Sequence, residues 1–137
     1  MSTISPETAL VYTMVVVSAS DQVMTNSELT RMTGLVGYLP GFRNYNIEKL
    51  RIDTESCVEI LQSEEGLDAV IGLIGEAIPS SHYDLVYAIA CEVAASDGTL
   101  SQEELLLLEM IRHTLNVDRL TAAAIERGTA ARQKTVS

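Results

Sequence analysis

The chain has 137 residues, a formal net charge of −10 and a pI near 4.5. A single domain of this size buries about two thirds of its unfolded surface, so it needs neither disulfides nor structural zinc to fold. Hydrophobic residues make up 47% and charged ones 20%, too apolar for disorder. The acidity argues against non-specific nucleic-acid or anionic-membrane binding. Aromatics at 4%, with no Trp, leave no stacking platform for single-stranded bases.

Helix signals recur along the chain and strand signals are weak. A first helix is expected from Pro6 to about Ser20, capped by Ser5 with Pro6 in its first turn. Its apolar run, Ala9 to Val17, falls short of the ~18 residues of a membrane span. Met1 to Thr8 contains no Lys or Arg, and Asp21 and Glu28 follow soon after. The run is therefore read as the buried helix of a cytoplasmic protein without membrane insertion. A second helix starts at Thr25 and stops before Pro40-Gly41. Asn46 is a good N-cap for a third, which runs to about Glu65 with Gly66 ending it. The fourth spans Leu67 to Ile78, and the fifth runs from Ser80 or Ser81 to about Ser96. The sixth spans Ser101 to Leu115, and the seventh Asp118 to about Arg127. Residues 1–127 are read as one domain and 128–137, small, polar and slightly basic, as a flexible tail. Cys57 and Cys91 stand alone in apolar helical context, as small core residues of a reducing compartment do.

Charge is unevenly spread. No Lys or Arg lies between Arg51 and Arg112, an interval that holds carboxylates from Asp53 to Glu109. Such a stretch reads either as an ordinary solvated acidic surface or as a cation-attracting face set against the more basic C-terminal end, and cations and basic partners suit the latter.

An internal repeat is the most informative feature. Val17-Ser18-Ala19-Ser20-Asp21 precedes Thr25-Asn26-Ser27-Glu28-Leu29; Val93-Ala94-Ala95-Ser96-Asp97 precedes Ser101-Gln102-Glu103-Glu104-Leu105. Asp97 against Asp21 and Glu104 against Glu28 both give an offset of 76. Met32, Leu35 and Leu39 correspond to Leu108, Ile111 and Leu115. This predicts two pseudo-symmetric helix–loop–helix hairpins in one all-α domain.

The four carboxylates have two readings. Thr25-x-x-Glu28 and Ser101-x-x-Glu104 are capping boxes, and Asp at a helix exit bonds nearby amides, so all four can be purely structural. Alternatively, each loop Asp and the Glu seven residues on converge, and two such loops offer a set of hard oxygen ligands. The second copy matches the latter half of an EF-hand loop, with Asp97, Gly98, Leu100 and Glu104 in place. Val93 and Ala95 stand where the first and third ligands belong, and Val17 and Ala19 do so in the first copy, so neither loop is a calcium site by itself.

With both copies of the Ala-Ser-Asp, loop, Glu motif, the chain resembles the TerB family of tellurite-resistance proteins, whose domain also occurs in some membrane-anchored J-domain co-chaperones. The resemblance covers about Pro6 to Arg127; Gln22 departs from the family's usual Gly. It implies an all-α fold of about seven helices, with two hairpins around a buried central helix. It further implies a bacterial cytoplasmic protein linked to tellurite or other chemical stress, with a divalent-cation site. Carried over residue by residue, the metal ligands are Asp21, Glu28, Asp97 and Glu104, with Ca²⁺ foremost and Mg²⁺ or Mn²⁺ as alternatives.

Other constellations are weaker. Glu109 and His113 read as an exposed i,i+4 pair. Ser80, Ser81, His82 and Asp84 are too close along one helix start for a triad. Tyr83, Tyr87 and Ala90 share a face and read as core. There is no P-loop, G-x-G-x-x-G or H-E-x-x-H. The expectation is a non-enzymatic, cation-binding interaction domain acting through protein partners, with no nucleic acid and with a homodimer allowed. The alternative is a metal-free scaffold in which the motifs serve only as caps.

Overall fold

The computed structural model describes residues 4–18, 26–95 and 100–137. Seven α-helices lie among them: α1 (Pro6–Ser18), α2 (Asn26–Tyr38), α3 (Leu50–Leu61), α4 (Gly66–Ala77), α5 (Tyr83–Ala94), α6 (Gln102–Thr114) and α7 (Arg119–Arg132). No strand occurs among the described residues. The all-α expectation and the helix order hold.

α1 is the centre. Every residue from Thr8 to Ser18 is buried, on all sides of the helix, because none carries a charge. Its β-branched run Val15-Val16-Val17 has modest intrinsic helix propensity, and enclosure by tertiary contacts overrides it. α1 packs chiefly against α5, α3 and α4, while α7 lies on α5. Met14, Met32, Ile74, Ile89 and Ile111 are among the largest fully buried side chains. Thr13 is enclosed without cost to its hydroxyl, which donates back to the Ala9 carbonyl at 2.9 Å.

Local chemistry explains the helix ends. Ser5 Oγ accepts from the Thr8 amide at 3.1 Å and caps α1 as expected. Asn46 accepts from the Glu48 amide and starts a 3-10 turn at Ile47–Lys49 that leads into α3. α6 closes at Asn116, which adopts φ 54°. The amides of Val117 and Asn116 donate to the Arg112 and His113 carbonyls at 2.9 and 3.1 Å, the paired bonds of a Schellman ending.

Two boundaries differ from the sequence reading. Gly66 does not terminate α3; it is the first residue of α4, and α3 has already ended at Leu61. α7 passes Arg127 and continues to Arg132. Thr129 is buried, and Arg132 pairs at 2.7 Å with Glu92 of α5, whose side chain is only 15% exposed. The partner stands far away in sequence, so no local signal marks the extension.

Both cysteines are free and buried. Burial pushes the Cys57 thiol up to about 12. Burial likewise raises Cys91 to about 11, with Glu126 and Glu92 adding to it and a Tyr87 hydrogen bond opposing. Burial raises the Tyr87 phenol too. A thiol held neutral in the fold ionises more easily once unfolded, so its stabilising contribution is complete below about pH 9 and is lost as pH climbs through the folded values. Urea midpoints should therefore drop steadily above pH 9. At pH 8 a thiol reagent should leave both cysteines unmodified until urea is added. Rapid labelling of the native chain at either thiol would contradict this burial.

Candidate metal-binding motifs at the repeated hairpins

The repeat is realised as structure. α2 and α6 begin at residues 26 and 102 and end at 38 and 114, an offset of 76 at both ends. α1 and α5 end at 18 and 94, at the same offset. Met32 and Leu108 are both buried at corresponding positions, and Leu35, Leu39, Ile111 and Leu115 all join the core. The two hairpins thus use one packing pattern, and each motif spans the junction between its two helices.

Glu28 and Glu104 occupy the first turns of α2 and α6, where the helix dipole favours negative charge. Both are half-buried. The second capping box is present in full. Ser101 Oγ accepts from the Glu104 amide at 3.1 Å, and Glu104 Oε1 accepts from the Ser101 amide at 2.9 Å. One Glu104 oxygen is therefore committed to the cap. Thr25 of the first box lies outside the described residues, as do Asp21 and Asp97. Among the described residues no three His, Cys, Asp or Glu side chains cluster as metal ligands. Ser18, three residues before Asp21, is buried, and its Oγ has no hydrogen-bond partner among the described residues. The donor set of the motifs is entirely carboxylate oxygen, which suits a hard cation.

The family model of the tellurite resistance protein TerB matches residues 7–127. The chain belongs to the TerB family. No curated protein matches it, and no solved structure does. The match takes in both repeated motifs of the TerB domain and stops inside α7, five residues short of that helix's end at Arg132.

The weaker constellations behave as ordinary surface and core in this TerB domain. Glu109 and His113 approach to 3.9 Å as an exposed i,i+4 pair. Ser81 Oγ and His82 Nδ1 lie 2.9 Å apart on the surface, while Asp84 accepts from the Leu85 amide. No triad forms among them. Tyr87 and Ala90 are buried, and the Tyr83 hydroxyl donates to the Gly75 carbonyl at 2.7 Å. No helix of the described residues is long and apolar enough to cross a membrane.

Sequence reasoning missed a groove of about 530 Å³ between α6 and α7. Its floor includes Tyr87 of α5, whose hydroxyl donates to Glu126 Oε2 of α7 at 2.5 Å. Leu105 and Leu106 line it from α6 and remain 45% and 60% exposed. The adjacent leucines Leu105 to Leu108 carry the signal in the sequence. Four in a row cannot all face the core of one helix.

Proposed function

We propose that this TerB-family chain is a non-enzymatic, tellurite-resistance-associated interaction domain of the cytoplasm, with a divalent cation held at Asp21, Glu28, Asp97 and Glu104. The observation that supports it is the duplicated Asp…Glu motif at two equivalent helix junctions of one domain. A hard cation, Ca²⁺ foremost, would neutralise these carboxylates. Without it, their mutual repulsion opposes bringing the two junctions together. Loading and release would then reshape the surface that protein partners read.

The metal-free alternative draws on one specific observation: Glu104 already has a structural occupation in its capping box. Thermal unfolding separates the two readings. After EDTA treatment, one of Ca²⁺, Mg²⁺ or Mn²⁺ added at a hundredfold its dissociation constant should stabilise the chain by about 2.7 kcal/mol, roughly 10 °C. Asp21→Asn/Asp97→Asn should abolish that shift without unfolding the protein. If no ion shifts the melting temperature, the motifs are caps only. In that case Glu104→Gln should be nearly silent, because Gln also closes a capping box.

A further inference from the structure

The two copies of the hairpin give an internal comparison of what the fold itself requires on the outer face of the second helix. On α2, Thr30 and Thr33 are exposed and turn their hydroxyls back onto the Asn26 and Leu29 carbonyls at 2.9 Å, and Gly34 is exposed as well. The corresponding positions on α6 are Leu106, Glu109 and Met110. Leu106 is 60% exposed and Met110 38%. The hairpin packs in the first copy without apolar side chains at these places, so the core does not demand them in the second.

The same substitutions add negative charge. Glu103 and Glu109 on α6 replace Ser27 and Thr33 of α2, and the single cation of the first helix's early turns, Arg31, becomes the buried Leu107. From Gln102 to Met110 α6 has no Lys or Arg, and Glu109 is the carboxylate of that stretch that lines the groove. Glu126 faces the groove from α7. Arg112 stands at the far end, its guanidinium 3.1 Å from His113 Nε2 on its own helix. The groove follows α6 from Gln102 to Arg112, about 15 Å at 1.5 Å per residue, which is the span of three helical turns. An open trough of that length, with leucines along its wall and carboxylates beside them, matches an amphipathic helix with an apolar stripe and flanking Lys or Arg.

We propose that the α6–α7 groove is the docking site for a basic amphipathic helix of a partner protein, with Leu105 and Leu106 taking its apolar stripe and Glu109 pairing with its flanking cation. The proposal rests on the reading above only in taking the chain to work through a protein partner; it is independent of the cation.

The test is titration of an 18-residue Leu/Lys amphipathic peptide into the full chain in EDTA at physiological salt, with a Leu/Glu peptide of the same pattern alongside. Working in EDTA keeps a failure here distinct from a failure of the metal site. One-to-one binding of the Leu/Lys peptide alone is expected. Leu106→Asp should weaken it at least ~10-fold, as loss of an interface anchor does. Glu109→Lys should weaken it ~5-fold, while Glu64→Lys, the same charge change on an exposed residue before α4, stays within ~2-fold. The proposal is overturned if the peptide does not bind, or if Glu64→Lys and Glu109→Lys weaken it equally while Leu106→Asp does not. It is also overturned if sedimentation shows a dimer that Leu106→Asp dissolves, since a second copy would then occupy the groove.

Discussion

Gly66→Ala is expected to destabilise the chain by about 3 kcal/mol, the upper end of what an unaccommodated methyl costs. The turn between α3 and α4 is tight. The Ser63 amide and hydroxyl both bond the Ile60 carbonyl, at 3.2 and 3.0 Å, and the Gly66 amide donates to the Ser63 carbonyl at 3.0 Å. α4 therefore begins directly against the backbone that ends α3. A β-carbon at Gly66 would overlap the Ile60 carbonyl oxygen and lie 2.8 Å from Leu61 Cα. Backbone cannot rotate away as a side chain can, so the α3–α4 turn must open. Gly72→Ala is the control. It lies in the middle of α4, exposed, with nothing within 4 Å of an added β-carbon. It should stabilise by about 0.5–1 kcal/mol through helix propensity. Urea unfolding of both variants checks the pair, and a neutral Gly66→Ala would show that this close approach is not essential.

Asp53→Ala should also cost about 3 kcal/mol, because it leaves the buried Thr8 hydroxyl and the half-buried Tyr45 hydroxyl without this acceptor. Asp53 is only 8% exposed. Its Oδ2 accepts from Tyr45 at 2.6 Å and from Thr8 at 3.0 Å, and Thr8 in turn accepts from Ser5 at 3.0 Å. One carboxylate thus ties the start of α1, the loop before α3 and α3 itself together. Burial first, then the Asp53 hydrogen bond and charge, raises the Tyr45 phenol above its ordinary value, so it stays a donor throughout the neutral range. Both donors converge on a single oxygen, which an amide oxygen can replace. Asp53→Asn should therefore lose about 1 kcal/mol, the difference between a charged and a neutral acceptor. Tyr45→Phe should fall between the two, since the ring keeps its edge contact with Phe42 at 5.8 Å. Equal losses for Asp53→Asn and Asp53→Ala in denaturant melts would rule out this account.

The repeat was legible because it lies in local chemistry. A capping box needs two residues three apart, and Ser101 and Glu104 form one as their spacing predicts. The offset of 76 fixed both ends of α6 once α2 was placed. The proposed metal ligands were legible only as types in a pattern. Glu28 and Glu104 are found at matching first turns, while Asp21 and Asp97 fall outside the described residues.

Gly66, Arg132 and Leu106 were misread or unread for a common reason. Gly after an apolar helix is most often a C-cap, and only the return of α4 onto Ile60 turns it into a point of close approach. The end of α7 is held by Glu92, forty positions before Arg132. Leu106 looks like core in a run of leucines, and only the placement of α5 and α7 leaves it uncovered. The sequence by itself determined helix class, helix order, the caps at Ser5, Asn46 and Ser101 and the duplication, because hydrogen bonds and side-chain periods within about four residues decide them. Tertiary structure alone decided that α1 is enclosed on every side, which glycine meets backbone, and which leucines stay exposed. Those depend on contacts between residues distant in the chain, where no local period or spacing records the neighbour.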